Sequence, residues 1–122
     1  MANKKILIIE DTLALIKVVT HALEEAGFEV DTAQDGVEGL KKLKNNIYDL
    51  VILDLILPKL TGFDVLNNIK FFENKSPIIV YSNMVEDHTK EDVLNAGAQA
   101  YFDKSKISLH ELINAVKKIT KS

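Results

Sequence analysis

The sequence predicts an α/β fold: a doubly wound, five-stranded parallel sheet built from five βα units. Three observations carry that prediction. Short runs rich in Ile and Val recur at "KILII", "FEVDTA", "LVIL", "PIIVYS" and "AYF". Longer segments whose apolar residues repeat at helical spacing separate them. Three of the runs ("ILII", "LVIL" and "IIVY") lack the alternation of a half-exposed strand, which is the pattern of parallel strands covered on both faces. The order βαβαβαβαβα with right-handed crossovers follows.

Taken in order, the first strand covers 4–9. The first helix runs from Thr12 to Ala26, with Ile16, Val19 and Leu23 on one stripe and Gly27 as its stop. The second strand covers 28–33. Asp35 is positioned as the N-cap of a helix to Asn45, whose stripe is Val37, Leu40 and Leu43 with Lys44. The third strand covers 50–53, and a third helix from Phe63 to Phe72 carries Leu66 and Ile69. The fourth strand covers 77–82. The fourth helix, 86–96, has only Val93, Leu94 and Ala96 as apolar residues before Gly97. The fifth strand covers 100–102. Ser108 and Glu111 have the spacing of a capping box for the last helix, striped by Leu109, Leu112, Val116 and Ile119. The tail "KKITKS" reads as a frayed end.

The totals narrow the function. A chain of 122 residues is predicted to form one domain, 1–122, large enough to bury a normal core. The absence of Cys removes disulfide frameworks and thiolate metal sites. A net charge of −3 gives no electrostatic footprint for direct nucleic-acid binding. No apolar stretch approaches the ~18 residues of a membrane span. "MANKKILIIED" passes from four apolar residues into two acids, unlike a signal peptide. A soluble, cytoplasmic domain is the expectation.

Sites in open α/β sheets form at the carboxyl ends of the strands. The first strand delivers Glu10 and Asp11 there, the third Asp54, the fourth Ser82 and Asn83, and the fifth Asp103 and Lys104. The second delivers Gln34 and Asp35 nearer an edge. Singly, each has an ordinary explanation: a loop cap, an acidic helix start, a solvated lysine. Jointly they do not. Asp54 interrupts the apolar run "DLVILDLILP". Beside Glu10 and Asp11 it faces repulsion of roughly 4 kcal/mol per pair at about 4 Å and an effective dielectric of ~20. Protons or a cation must relieve that, and an oxygen-only ligand set suits magnesium. With Lys104 and Ser82 to hold an anion, the set fits phosphoryl transfer to Asp54.

At this point the chain resembles the response-regulator receiver domain of two-component signalling, chemotaxis-like, with its flavodoxin-like topology. The resemblance runs through "ILIIED", "DLVILDLILPKLTGFDVLNNI", "PIIVYS" and "NAGAQAYFDK". It implies that Asp54 accepts a phosphoryl group from a histidine kinase or phosphotransfer protein. It implies magnesium held by Asp11, Asp54 and the backbone carbonyl of Ile56, with Glu10 acting through water. Lys104 pairs with the phosphoryl oxygens, Ser82 turns inward to them, and Tyr101 changes rotamer. A downstream protein then binds the face made by the fourth helix, fifth strand and fifth helix. The implied role is a phosphoacceptor signalling domain, limited to self-phosphorylation and self-dephosphorylation, and not an enzyme of other substrates. The fourth and fifth helices lack the arginine pattern of dimerising winged-helix regulators, so a monomer is expected.

Four positions depart from the family. Ser105 follows Lys104 where many receivers have Pro, so a trans bond is expected, the cis form costing ~2.5–4 kcal/mol before a non-proline residue. Asn83 stands where Ala or Gly is usual, and its amide can narrow access to Asp54 or bond a phosphate oxygen. Ile56 and Met84 occupy the positions at which receivers tune hydrolysis; both are apolar, which predicts slow loss of phosphate. Thr12 replaces a residue that is often acidic or polar. Among other readings, a haloacid-dehalogenase-type phosphatase would want a second Asp where Ile56 stands. A flavodoxin-like cofactor binder would want a Gly/Ser/Thr-rich loop where Glu10 and Asp11 stand. A receiver fold that is never phosphorylated and only binds a partner is the remaining alternative.

Overall fold

The computed structural model describes residues 3–72, 74–83 and 90–121. The elements are β1 (Lys5–Ile9), α1 (Leu13–Glu25), β2 (Glu29–Ala33), α2 (Gly36–Asn45), β3 (Leu50–Leu53), α3 (Gly62–Ile69), β4 (Ile78–Ser82), α4 (Lys90–Asn95), β5 (Ala100–Asp103) and α5 (Leu109–Thr120). All strand pairs are parallel, in the order β2-β1-β3-β4-β5. The chain therefore reverses its direction of winding between β1 and β3, and that switch point opens a crevice at the strands' carboxyl ends.

Successive residues of a strand point to opposite faces, so an unbroken apolar strand needs cover on both. Leu7, Ile9, Val51, Leu53 and Val80 pack against Leu43, Val65, Leu66 and Val93 on one face. Ile6, Ile8, Leu50, Ile52, Ile79 and Tyr81 pack against Val19, Leu23, Leu112 and Val116 on the other. The three non-alternating runs predicted as doubly covered are β1, β3 and β4. The α1 stripe is the predicted Ile16, Val19 and Leu23.

Several local expectations are corrected. In α2 the predicted Leu40 and Leu43 pack into the core, but Val37 is exposed and Gly36 and Gly39 are buried instead. The helix lies so near β1 that a Cβ on Gly39 would sit 2.7 Å from Ile9 Cδ1, so a side chain there requires Ile9 to shift. Helix α3 begins one residue earlier than predicted. It is held by a capping box in which Thr61 Oγ1 accepts from Asp64 N–H and Asp64 accepts from Thr61 N–H. It ends at Ile69, leaving Phe71 and Phe72 in a turn. Within the predicted fourth helix, residues 86–89 lie outside the described residues and α4 covers Lys90–Asn95. The tail is not frayed through Thr120. Lys117 to Thr120 continue α5, Thr120 is buried with its hydroxyl donating to the Val116 carbonyl at 2.7 Å, and Lys4 Nζ donates to the Thr120 carbonyl. The predicted Ser108–Glu111 capping box is formed. No cis peptide occurs among the described residues, so Lys104–Ser105 is trans as expected.

Candidate functional site

Register brings the first two carboxylates together. Ile9 pairs with Leu53 across β1 and β3, so the next residues, Glu10 and Asp54, emerge side by side at the switch point. Asp54 lies one residue past the last strand residue, yet its N–H still donates to the Ile9 carbonyl at 3.0 Å, continuing the ladder. Glu10 is fixed likewise by its N–H to the Ala33 carbonyl at 3.0 Å. On the other side of β3, Ser82 ends β4, and Lys104 N–H donates to the Ser82 carbonyl at 3.1 Å, holding Lys104 at the end of the β4–β5 ladder.

The side chains meet in a small network. Ser82 is fully buried and its hydroxyl donates to Asp54 Oδ1 at 2.5 Å, while it accepts from Leu55 N–H at 3.2 Å. Ile56 N–H also donates to Asp54 Oδ1, at 3.1 Å. Lys104 Nζ donates to Asp54 Oδ2 at 2.9 Å and to Glu10 Oε1 at 2.5 Å. Burial pushes the Glu10 carboxyl up; the Lys104 hydrogen bond opposes this, and the Asp54 charge adds to it. Burial alone would lower the Lys104 ammonium, but its hydrogen bonds to Glu10 and Asp54 outweigh that and raise it. Asp11 is exposed and completes the cluster: Glu10, Asp11 and Asp54 each offer an oxygen within 4.8 Å of the others.

That donor set fits a magnesium ion. It is all oxygen, it has an open side at Asp11, and three carboxylates with one ammonium leave a formal charge of −2 for a divalent cation to balance.

Of the remaining predicted residues, Tyr101 is buried on β5, and its hydroxyl has no hydrogen-bond partner among the described residues. Burial raises that phenol, and the charges of Asp103 and Asp54 raise it further. Ser82 already faces inward, with its hydroxyl on Asp54, in the arrangement seen here. Asn83 is exposed, and the Ile56 side chain is 55% exposed at the rim. Met84 lies outside the described residues. Asp35 and Asp103 do not join the cluster: Asp35 caps α2 and pairs with Lys59, and Asp103 accepts from Ser105 N–H and Oγ. One neighbour escaped the sequence reading. The ring of Tyr81 lies 5.8 Å from Lys104 Nζ, whereas in "PIIVYS" it reads as one more apolar strand residue.

Residues 6–117 match the family model of the response regulator receiver domain. The alkaline phosphatase synthesis transcriptional regulatory protein PhoP of Bacillus subtilis is 36% identical over 102 residues, which are 84% of this chain and 42% of that protein. The chain spans about half or less of the length of the curated relatives it matches. Among solved structures, the receiver domain of the Francisella response regulator 1452 superposes with a TM-score of 0.90 at 28% identity, covering 98% of both chains. The receiver domain of a Pseudomonas aeruginosa sensor histidine kinase, solved with magnesium coordinated in its active site cleft, superposes with a TM-score of 0.87 at 27% identity, covering 99% of this chain and 100% of that one. The match runs through nearly the whole sequence and the fold is shared end to end, and the chain therefore belongs to the response regulator receiver domain family.

Proposed function

We propose that residues 1–122 form one receiver domain that accepts a phosphoryl group on Asp54 from a phosphohistidine of a sensor kinase or phosphotransfer protein. The observation that carries this reading is the division of labour at Asp54: Ser82 addresses Oδ1 and Lys104 addresses Oδ2. Asp31 also has a donor on each oxygen, but the two donors of Asp54 stand beside two further carboxylates, Glu10 and Asp11, at the strands' carboxyl ends. A carboxylate that becomes an acyl phosphate uses both, because each donor can move with the charge onto the new phosphoryl oxygens. In the transfer an Asp54 oxygen attacks phosphorus, the P–O bond forms, the P–N bond breaks, and its electron pair returns to the imidazole. When bound at Glu10, Asp11, Asp54 and the Ile56 carbonyl, magnesium supplies counter-charge to the phosphoryl oxygens. Lys104, kept protonated by its two carboxylates, supplies the remaining positive charge.

The added charge of about −1 to −1.5 then draws Ser82 and Lys104 outward from Asp54. Tyr101, opposite Val80 on the neighbouring strand, changes rotamer in response to that shift. The face of α4, β5 and α5 is where a downstream protein reads the change, with the domain acting as a cytoplasmic monomer that does not itself bind nucleic acid. The exposed Asn83 amide sits next to Ser82, where it meets an incoming phosphodonor. The test is labelling by a small phosphodonor, followed by intact mass. The protein with magnesium should gain one phosphoryl group; Asp54→Asn or chelation should abolish the gain. A folded protein that stays unlabelled by both a small donor and a phosphorylated kinase would instead be an unphosphorylated interaction module.

A further inference from the structure

We infer that Tyr81 is a positioning residue for Lys104: its ring face holds the ammonium over Glu10 and Asp54. The inference rests on the phosphoacceptor reading above for its functional consequence, though not for its geometry. Lys104 Nζ lies 5.8 Å from the Tyr81 ring centroid, inside the ~6 Å range of cation–π attraction. The ring is only 8% exposed. The Lys104 side chain is 16% exposed, so little solvent screens the contact.

The backbone explains why the two meet. Tyr81 pairs with Phe102 and Ser82 with Asp103 in the β4–β5 register, which sets Lys104 one step beyond Ser82. Two of the three ammonium protons are directed to carboxylates. An aliphatic residue at position 81 would leave the ammonium held by those carboxylates alone, and they are the groups whose charge changes during the reaction. The ring is a fixed attraction that phosphorylation does not alter. It keeps the lysine near the site while its hydrogen bonds pass from carboxylate to phosphoryl oxygens.

The experiment compares Tyr81→Phe, which keeps the face, with Tyr81→Leu, which removes it. The first readout is the NMR shift of the Lys104 ε-methylene protons in the unphosphorylated protein. They should lie upfield from the ring current, stay there in Tyr81→Phe, and return to the ordinary lysine range in Tyr81→Leu. Lys5, 5.6 Å from the Tyr48 ring, is an internal control that should not change. The second readout is the labelling rate with a small phosphodonor, which should fall about three- to tenfold in Tyr81→Leu and recover in Tyr81→Phe. Lys104 methylene protons without an upfield shift in the unsubstituted protein would overturn the inference, even if Tyr81→Leu fails to fold. Equal slowing in both variants would overturn it too, since the lost element would then be the hydroxyl. Absence of labelling in every version would count against the phosphoacceptor reading alone, and the shift comparison would still decide the role of Tyr81.

Discussion

At Gly62 the loop from β3 returns so close to its own origin that a Cβ would lie 2.3 Å from the Asp54 carbonyl oxygen and 2.6 Å from Leu55 Cα. Both are backbone atoms and cannot swing away. Gly62→Ala is therefore expected to cost about 1–3 kcal/mol in urea denaturation, as other forced insertions into packed sites do. It should also slow labelling of Asp54, because relief requires moving the very segment that carries it. Ile56 makes the opposite kind of prediction, one about chemistry with little change in packing. Its side chain is largely exposed at the rim and has no group to orient a water, so Ile56→Asn should shorten the lifetime of the phosphorylated protein several-fold with magnesium present. An unchanged decay rate would remove Ile56 from the hydrolysis argument. At this scale the sequence was a good guide to groups with distinctive chemistry. Glu10, Asp11, Asp54, Ser82 and Lys104 are all in the cluster it predicted. It missed Tyr81, because an aromatic residue in an apolar strand looks alike whether its ring faces other side chains or an ammonium.

Among the elements, the edge strand β2 is secured by polar contacts as much as by packing. Asp31 accepts from Lys42 Nζ on α2 at 2.7 Å and from the Tyr48 hydroxyl at 2.7 Å, and Lys42 also donates to the Thr32 carbonyl at 2.5 Å. Burial would raise the Asp31 carboxyl, but the hydrogen bonds from Lys42 and Tyr48 outweigh it and hold it below its ordinary value of 3.8. Burial and the Asp31 charge together push the Tyr48 phenol up. The sign for Asp31 follows from linkage: below 3.8 the unfolded chain takes up the proton more readily than the folded one. The stabilisation is thus present above that value and is lost as pH falls through the lower, folded-state value. Asp31→Asn should cost about 1.5–3 kcal/mol at neutral pH, the range of hydrogen bonds to a charged group. Its deficit relative to the unsubstituted protein should shrink as pH falls below 3.8, measured by urea unfolding at neutral and acid pH. Strand and helix placement was legible from apolar spacing, and the Ser108–Glu111 cap from its motif. In α2, Leu40 and Leu43 were legible as core residues, but the burial of Gly39 was not, because it comes from the close approach of its backbone to Ile9.

For the molecule as a whole, the carboxylate cluster couples stability to a bound ion. Anything that binds the folded state alone stabilises it by mass action. Magnesium should raise the urea midpoint in proportion to its occupancy, and chelation should reverse the gain. Asp11 separates this from folding. It is exposed, so Asp11→Asn should change the ion-free stability by less than about 0.5 kcal/mol. The same substitution should abolish most of the magnesium-dependent gain, and a gain that survives it would exclude Asp11 as a ligand. The sequence by itself determined the fold class, the five-unit order and the residue types that reach the strand ends. Those follow from period, length and chain order, all of which are local. Only the tertiary structure decided that Glu10 and Asp54 are adjacent across the β1–β3 switch point, that Ser82 and Lys104 take different oxygens of Asp54, and that Tyr81 lies beside Lys104. Each depends on register between strands far apart in the chain, where a shift of one residue would turn every side chain to the other face.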